Sequence, residues 1–356
     1  MNESFRRGLR TKSPFVLVAA LALLLPALLG VQSYFTSGAW TAIAAQRWER
    51  NSTDDYMFVS WTVGHLKAHP PKQPLAALLG GSSGREALVS GPSLAAEVKA
   101  DGGPDITAYN LSARMQRYAQ SWAIVDNLPD TPTTVLVGVN LGRFTTSPES
   151  NYNQVIGREL LLKSDSLRRW VTAHSGEHKY SYTILPGIFS ALTTYLQQRE
   201  NALLSGKLHQ KPYKVHAFDT RKTLPDSEKR ALVQQWLKRY YPAFKKVHAF
   251  DAAMLDGLVA EGKKRGLDMV IVELPWNRQI IGDAFAQAMA AYQAPTRAIA
   301  DKYGVPYLDF NAQLDVPSKD FLDLSHLRPE GRAVWQAELA RQLATLYNDG
   351  TLRTTL

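Results

Sequence analysis

Residues 75–86 read LAALLGGSSGRE, and this stretch decides the fold. Leu75–Leu79 is a short apolar run without polar alternation, which is typical of a parallel strand buried on both faces. Gly80 and Gly81 follow at once and let the backbone turn sharply. Ser82 would then project from the end of the strand near the start of a helix, where backbone N–H groups lack helical acceptors. An ordinary Gly/Ser-rich turn with a helix-capping serine is the alternative interpretation.

Four more apolar runs of this kind follow along the chain, at residues 106–109, 134–139, 269–274 and 307–310. Helical patterns alternate with them, at about residues 112–127, 250–265, 279–303 and 329–347. The alternation predicts an α/β fold, a three-layer doubly wound sandwich with a central parallel sheet of about five strands. The functional site of such a fold lies at the carboxyl ends of its strands.

A long segment, residues 145–249, interrupts this alternation between the third and fourth runs. Its sequence is mostly helical in pattern, at about residues 153–173, 183–204 and 226–240, with polar loops between. We therefore expect one α/β domain over residues 74–349, in which this segment is a large insertion that caps or shapes the site.

The N-terminal part of the chain predicts export. Residues 14–31 hold no charge over eighteen positions and, as a helix, nearly cross a hydrocarbon core about 30 Å thick. Four basic residues precede them and favour a cytoplasmic N-terminus. We expect a basic tail over 1–13, a transmembrane anchor over 14–35 and a connector over 36–73, with the domain periplasmic or extracellular on a single-pass cytoplasmic-membrane protein. A signal peptide cleaved near residues 42–44 is the alternative, and it exports the domain as well.

Composition excludes several classes of function. The net charge of +9 includes +3 from the first 13 residues, and no Lys/Arg block elsewhere is typical of a nucleic-acid partner. The chain has no cysteine, which excludes disulfides, a cysteine nucleophile and thiolate metal sites. His174 and His178 have the i, i+4 spacing of helical metal ligands, but Ser175 and Gly176 between them favour a polar surface segment. No metal and no other cofactor is expected.

A second informative stretch, residues 323–332, reads DLSHLRPEGR. Pro329 suits the first turn of a helix, so Asp323 and His326 fall in the loop before that helix. A carboxylate placed three residues before an imidazole in a loop is able to accept a hydrogen bond from its Nδ1. Together with a serine, such a pair activates a hydroxyl nucleophile. A helix-capping aspartate beside a surface histidine is the alternative.

Three sequence blocks in this order resemble the SGNH (GDSL-type) hydrolase superfamily. They are Gly-x-Ser after the first strand, Gly138-Val-Asn140 after the third strand, and Asp-x-x-His before the C-terminal helix. The blocks span about residues 80–330, which is nearly the whole domain. The resemblance implies the SGNH fold and a serine hydrolase or acyltransferase activity.

The resemblance also implies a role for each matching residue. Ser82 is the expected nucleophile, His326 the general base and Asp323 the carboxylate that orients it. The side-chain amide of Asn140 and the backbone N–H of Ser82 are the expected donors to the oxyanion. Ser112 stands near the place where a glycine of the second block usually provides another N–H.

The sequence departs from the family pattern at three positions. Gly81 replaces the aspartate of the name motif, Ser112 stands where glycine is usual, and Leu141 follows Asn140 where aspartate is frequent. Ser83 is an alternative nucleophile. Four side chains near the strand ends are expected to line a substrate cleft, with an ordinary loop as the alternative: Arg85, Arg143, Trp276 and Asn277.

The single N-terminal span and the Gly-x-Ser-Ser pattern are similar to the membrane-anchored envelope-polymer branch of the superfamily. That branch includes DltD-like proteins of D-alanylation, whose Pro-x-Asn tract resembles residues 275–277, and AlgJ/AlgX-like proteins of polysaccharide O-acetylation. The resemblance implies an O-acyltransferase or esterase acting on a cell-envelope polysaccharide or teichoic-type polymer, beside a membrane-bound O-acyltransferase. Two alternatives are a non-catalytic module of the same fold that binds polymer or partner, and an independent anchored lipase or esterase.

Overall fold

A computed structural model of the chain describes residues 14–36, 55–148, 162, 164–174, 215–216 and 218–355. Within these residues the chain forms five strands: β1 (Leu75–Leu79), β2 (Thr107–Asn110), β3 (Thr133–Val139), β4 (Asp268–Glu273) and β5 (Tyr307–Leu308). The same residues form eleven α-helices: α1 (Pro14–Thr36), α2 (Asp55–Ala68), α3 (Ser82–Arg85), α4 (Gly91–Ala100), α5 (Tyr118–Asn127), α6 (Asp165–His174), α7 (Asp226–Arg239), α8 (Tyr241–Lys264), α9 (Arg278–Ile281), α10 (Ala286–Tyr303) and α11 (Pro329–Asn348).

The five strands form one parallel sheet in the order β2-β1-β3-β4-β5. Each strand begins within one residue of its predicted position, so the predicted α/β fold with a five-stranded parallel sheet is confirmed. The physical reason is simple: a strand covered on both faces must be apolar throughout, and short runs of this kind are visible in a sequence.

Helices cover both faces of the sheet because neighbouring strand residues point in opposite directions. Ala77 and Val137 belong to one apolar core, which they share with side chains of α5, α8 and α10. Leu78 and Leu136 belong to the other core, together with side chains of α4 and α11 such as Trp335. The arrangement is that of a three-layer sandwich.

The strand order places a crevice between β1 and β3. The chain passes from β1 outward to β2 and then returns to the other side of β1, so the connections after β1 and β3 leave the sheet in different directions. This point, at the carboxyl ends of the strands, is where ligands bind in doubly wound sheets. Ser82 follows β1 and Asn140 follows β3, so both flank the crevice.

Helix α2 is part of the domain, although the sequence predicts a connector over residues 36–73. Its side chains Val59, Val63 and Leu66 are buried in the first core. At its N-terminus, the buried carboxylate of Asp55 pairs with Arg85 at 3.3 Å and with Arg114 at 2.9 Å. The sequence does not indicate that this helix belongs to the domain, because the partners of Asp55, Arg85 and Arg114, lie far away in the chain.

The predicted insertion lies partly outside the described residues. The helical pattern predicted at 183–204, together with His178, falls outside them, as do the tail over 1–13 and residues 37–54 of the connector. Helix α8 runs through the predicted end of the insertion at residue 249, because its apolar side chains, among them Leu255 and Leu258, continue into the first core.

The predicted transmembrane anchor is not supported by the described residues. No helix in this part of the chain is long and apolar enough to cross a membrane.

Replacement of Asp55 tests its contribution to the domain. We expect Asp55→Ala to lower the free energy of unfolding by about 3 kcal/mol, because it leaves the buried guanidinium of Arg85 without this counter-charge. Chemical denaturation of the purified protein measures the change. The control is Asp105→Ala, which breaks an exposed pair with Lys99 and should change stability by less than about 0.5 kcal/mol. Equal effects of the two substitutions would contradict the assignment of α2 to the core.

Candidate active site

The loop after β1 presents Ser82 at the first position of helix α3. The first helical hydrogen bond runs from the N–H of Arg85 to the carbonyl of Gly81 at 3.0 Å, so the preceding N–H groups have no acceptor within the helix. Gly84 is required by packing, because a Cβ atom there would lie 2.8 Å from Ser112 Oγ. Close packing of this helix against the loop after β2 therefore favours a glycine two residues after the serine.

Ser82, His326 and Asp323 form one hydrogen-bonded chain. His326 Nε2 lies 2.8 Å from Ser82 Oγ. On the other side of the ring, His326 Nδ1 lies 2.8 and 2.7 Å from the two carboxylate oxygens of Asp323. Burial raises the pKa of Asp323, but the hydrogen bond and charge of His326 outweigh it, so the pKa lies below its ordinary value. The carboxylate is therefore ionised at neutral pH and holds a proton on Nδ1, which leaves Nε2 to accept one from the serine.

The backbone of residues 318–327 fixes the Asp323–His326 pair. Asp323 Oδ1 accepts hydrogen bonds from the N–H groups of Ser325 and His326 at 3.0 and 3.1 Å. The N–H of Leu322 donates to the carbonyl of His326 at 2.8 Å, which closes the loop. These bonds are local, which explains why the spacing of the two residues is informative in the sequence.

Asn277, predicted to contact substrate, is buried beneath this loop. Its N–H donates to the carbonyl of Leu324 at 2.9 Å, and its Nδ2 donates to the carbonyl of Asp323 at 3.3 Å and to Ser318 Oγ at 3.1 Å. Lys229 of α7 reaches the same place and donates to the carbonyl and hydroxyl of Ser318. Burial lowers the pKa of Lys229. Both side chains thus support the triad loop, the segment from Ser318 to Leu327 that carries Asp323 and His326.

Asn140 and Ser83 are joined to each other across the crevice. Asn140 Nδ2 donates to Ser83 Oγ at 3.0 Å, and its Oδ1 accepts from the N–H of Arg143 at 3.2 Å. These two bonds orient the amide, neither of them uses its second Nδ2 hydrogen, and Asn140 lines the same cavity as Ser82. Ser83 is 4% exposed, and the serine bonded to His326 is Ser82.

Ser112, predicted near an oxyanion donor, faces away from the cavity. Its N–H donates to Asn110 Oδ1 at 3.1 Å, and its hydroxyl lies 3.3 Å from the carbonyl of Leu78. The loop after β2 instead brings Met115 and Gln116 to the cavity. Met115 has φ of 61°, a left-handed conformation that side chains disfavour, and strain of this kind clusters at functional sites. No residue type in the sequence signals this conformation.

The three other predicted cleft residues occupy different environments. Arg85 is buried against Asp55 and is not among the described residues that line the cavity. Arg143 is at the cavity wall, but its guanidinium is buried, donating to the Gly138 carbonyl at 2.5 Å and lying 4.1 Å from the Tyr118 ring centroid. Trp276 lines the cavity.

A cavity of about 500 Å³ opens directly onto the triad. Its walls are mainly apolar and aromatic. Several wall residues come from α7, from the end of α9 and from the start of α10, which no sequence pattern connects with the site: Leu232, Trp236, Ile281, Phe285 and Met289. The rings of Trp236 and Phe285 are 4.6 Å apart, so the wall is a packed aromatic surface. The sequence does not predict that these residues line a cavity, because aromatic side chains in a core and at a cavity wall have the same spacing on a helix.

A strap, residues 218–224, passes over the far side of the triad histidine. The ring of Phe218 meets the ring of His326 edge-on, with centroids 4.8 Å apart at 82°. Arg328 holds the strap by donating to three of its carbonyls, and Arg332 pairs with Asp219. Arg332 also pairs with the buried Glu86 at 3.1 Å, which links the strap to the loop that carries Ser82.

A buried carboxyl group, Glu273, lies at the end of β4 below the cavity. Tyr292, which lines the cavity, donates to it at 2.8 Å, and Tyr307 donates to its other oxygen. Burial raises its pKa from 4.5 to about 7, although the hydrogen bonds from the tyrosines act in the opposite direction.

No protein-family model matches the chain, and no curated protein matches it in sequence. The resemblance to the SGNH superfamily therefore remains a prediction from the three sequence blocks.

The raised pKa of Glu273 predicts a pH-dependent stability. The folded state favours the protonated carboxyl of Glu273. The contribution of this group to the free energy of unfolding is therefore complete below about pH 4.5 and is lost as the pH rises through about 7. Over that range, we expect the stability of the native protein to fall by about 3 kcal/mol relative to Glu273→Gln. Denaturant titrations at several pH values measure the difference. A difference that is constant with pH would contradict the burial of an ionisable group here.

Proposed function

We propose that the chain is a serine esterase or O-acyltransferase of the SGNH type. The observation that supports this most directly is the hydrogen-bonded chain from Ser82 Oγ through His326 to an ionised Asp323. It lies at the crevice between β1 and β3 and opens onto a cavity that admits an organic substrate. A non-catalytic binding module would have no need for a serine hydroxyl bonded to an oriented imidazole.

The geometry supports a two-step acyl transfer. In the first step Ser82 Oγ attacks the acyl carbonyl carbon while its proton passes to His326 Nε2, and the donor's ester bond then breaks as His326 returns that proton to the leaving oxygen. In the second step an acceptor hydroxyl or water attacks the carbonyl carbon of the acyl-enzyme while its proton passes to His326 Nε2. The bond from that carbon to Ser82 Oγ then breaks as His326 returns the proton to Ser82 Oγ. Asp323 stabilises the imidazolium in both steps.

Two donors of the site suit the oxyanion formed in each step. They are the N–H of Ser82, which precedes the first helical hydrogen bond, and the second Nδ2 hydrogen of Asn140. We assign no such role to Ser112, whose N–H is used by Asn110.

The compartment and the acceptor are also proposals. The proposal of an N-terminal membrane anchor and an exported domain rests on the sequence alone, on the uncharged run over residues 14–31, because no described helix meets the length and apolarity of a membrane span. Together with the similarity to the envelope-polymer branch, it supports a hydroxyl of a cell-envelope polysaccharide or teichoic-type polymer as acceptor. A membrane-bound O-acyltransferase that supplies the acyl group is the partner we propose.

A fluorophosphonate probe tests the proposed nucleophile. We expect the full-length protein to form a phosphonyl adduct on Ser82, mapped by mass spectrometry of its peptides, because the probe reacts with activated serines. Ser82→Ala and His326→Ala should lose the adduct and lower the turnover of simple esters at least about a thousandfold.

Ser83→Ala is the matched control, one residue away in the same helix. It should keep the adduct on Ser82, since it removes only the hydroxyl that accepts from Asn140. An adduct on Ser83 in the native protein would move the nucleophile by one residue. No adduct and no ester turnover would reject the proposed activity.

The contact between Phe218 and His326 predicts a positioning role for this ring. We expect Phe218→Ala to lower kcat about tenfold with little change in KM, because the imidazole loses the neighbour that limits its tilt. Phe218→Tyr preserves the ring and should restore most of the rate. Steady-state kinetics on a soluble ester separates the two parameters. A higher KM with unchanged kcat would instead indicate that Phe218 acts in substrate binding.

A further inference from the structure

We infer that the acyl group carried by Ser82 is an uncharged apolar chain longer than acetyl, which lies in the cavity against Trp236, Phe285 and Met289. The inference rests on the proposed function and specifies its substrate. An acetyl group needs only the space next to the nucleophile, whereas the cavity measures about 500 Å³.

The apolar wall is continuous with the catalytic residues. Trp236, Met289 and Leu324 pack against the buried pair Ile281 and Phe285 as one apolar cluster. Leu324 lies between Asp323 and His326 in the chain, so the cluster reaches the triad loop. Leu141, which follows Asn140, belongs to the same cluster and reaches the oxyanion side. An acyl chain that extends from Ser82 would therefore exchange water for these side chains along its length.

The charges of the cavity also favour an uncharged acyl group. Among the described residues that line it, Arg117, Arg143, Asp323 and His326 are the ionisable groups other than tyrosine. The one carboxylate, Asp323, is bonded to His326 on both oxygens. An aminoacyl group such as D-alanyl carries an ammonium ion, which would lose its hydration here without an acidic partner. The described lining is therefore unsuited to D-alanyl transfer.

A series of p-nitrophenyl esters tests the chain length with the full-length protein. Burial of each methylene contributes enough free energy to raise kcat/KM about fourfold per added carbon. We expect such a rise from acetate through butyrate to hexanoate, after division by the rate of spontaneous hydrolysis. A kcat/KM that is constant or falls along the series, in a protein that hydrolyses the acetate, would overturn the inference and leave the proposed function intact.

A matched pair of esters tests the charge. Isobutyryl and D-alanyl groups have nearly the same shape and differ in a methyl group against an ammonium ion. We expect the p-nitrophenyl isobutyrate to be preferred at least tenfold over the D-alanyl ester in normalised kcat/KM. A preference for the D-alanyl ester would overturn the inference.

Met289 provides a substitution that connects the result to the cavity. Met289→Glu adds a carboxylate to the apolar wall, and Met289→Gln has the same shape without the charge. We expect Met289→Glu to lower the hexanoate-to-acetate ratio of kcat/KM about tenfold. It should also raise the rate of the D-alanyl ester relative to the isobutyrate. Both effects should be larger than those of Met289→Gln. Identical ratios in both variants and the native protein would show that the chain lies elsewhere and would overturn the inference. Absence of all ester turnover together with absence of a Ser82 adduct would reject the proposed function, and this inference with it.

Discussion

The hydrogen bond between Ser82 and His326 joins residues 244 positions apart, and most of the structure around the cavity serves to hold its two ends. One end depends on the sheet, since β1 delivers the serine at the point where the strand order reverses. The other end depends on the loop that carries Asp323 and His326. That loop is kept in place by its own backbone bonds and by Asn277, which reaches it from the end of β4.

Arg332 links the two ends independently of the sheet. From the first turn of α11 it contacts the carbonyl and carboxylate of Glu86, near the serine, and the carbonyl of Leu327, next to the histidine. The same guanidinium pairs with Asp219 of the strap. The contacts of this one guanidinium therefore connect three distant segments around the imidazole.

The sequence predicts those parts of the protein that depend on local pattern. The strand positions are predicted by short apolar runs. The contact between Asp323 and His326 is predicted by their spacing of three residues within one loop. The parts that it does not predict depend on contacts between remote segments. Arg85 lies at a strand end, as substrate-binding residues do, but its partner Asp55 belongs to a helix that precedes the first strand. The contact between Phe218 and His326 is not predicted either, because the two residues lie far apart in the sequence and only the fold brings their rings together.

Helix α7 contributes to the site in two ways that differ in chemistry. Trp236 provides part of the apolar wall, while Lys229 and Asp226 contact Ser318 in the segment that leads into the triad loop. Lys229 and Trp236 are seven residues apart, so they lie two turns along the same side of the helix. Under the proposed function, substrate selectivity and catalytic geometry both depend on this one helix. Related proteins that diverge in substrate would have to vary Trp236 while keeping Lys229 and Asp226. A graft of this helix between such proteins would transfer selectivity without loss of rate only if it retained the lysine and the aspartate.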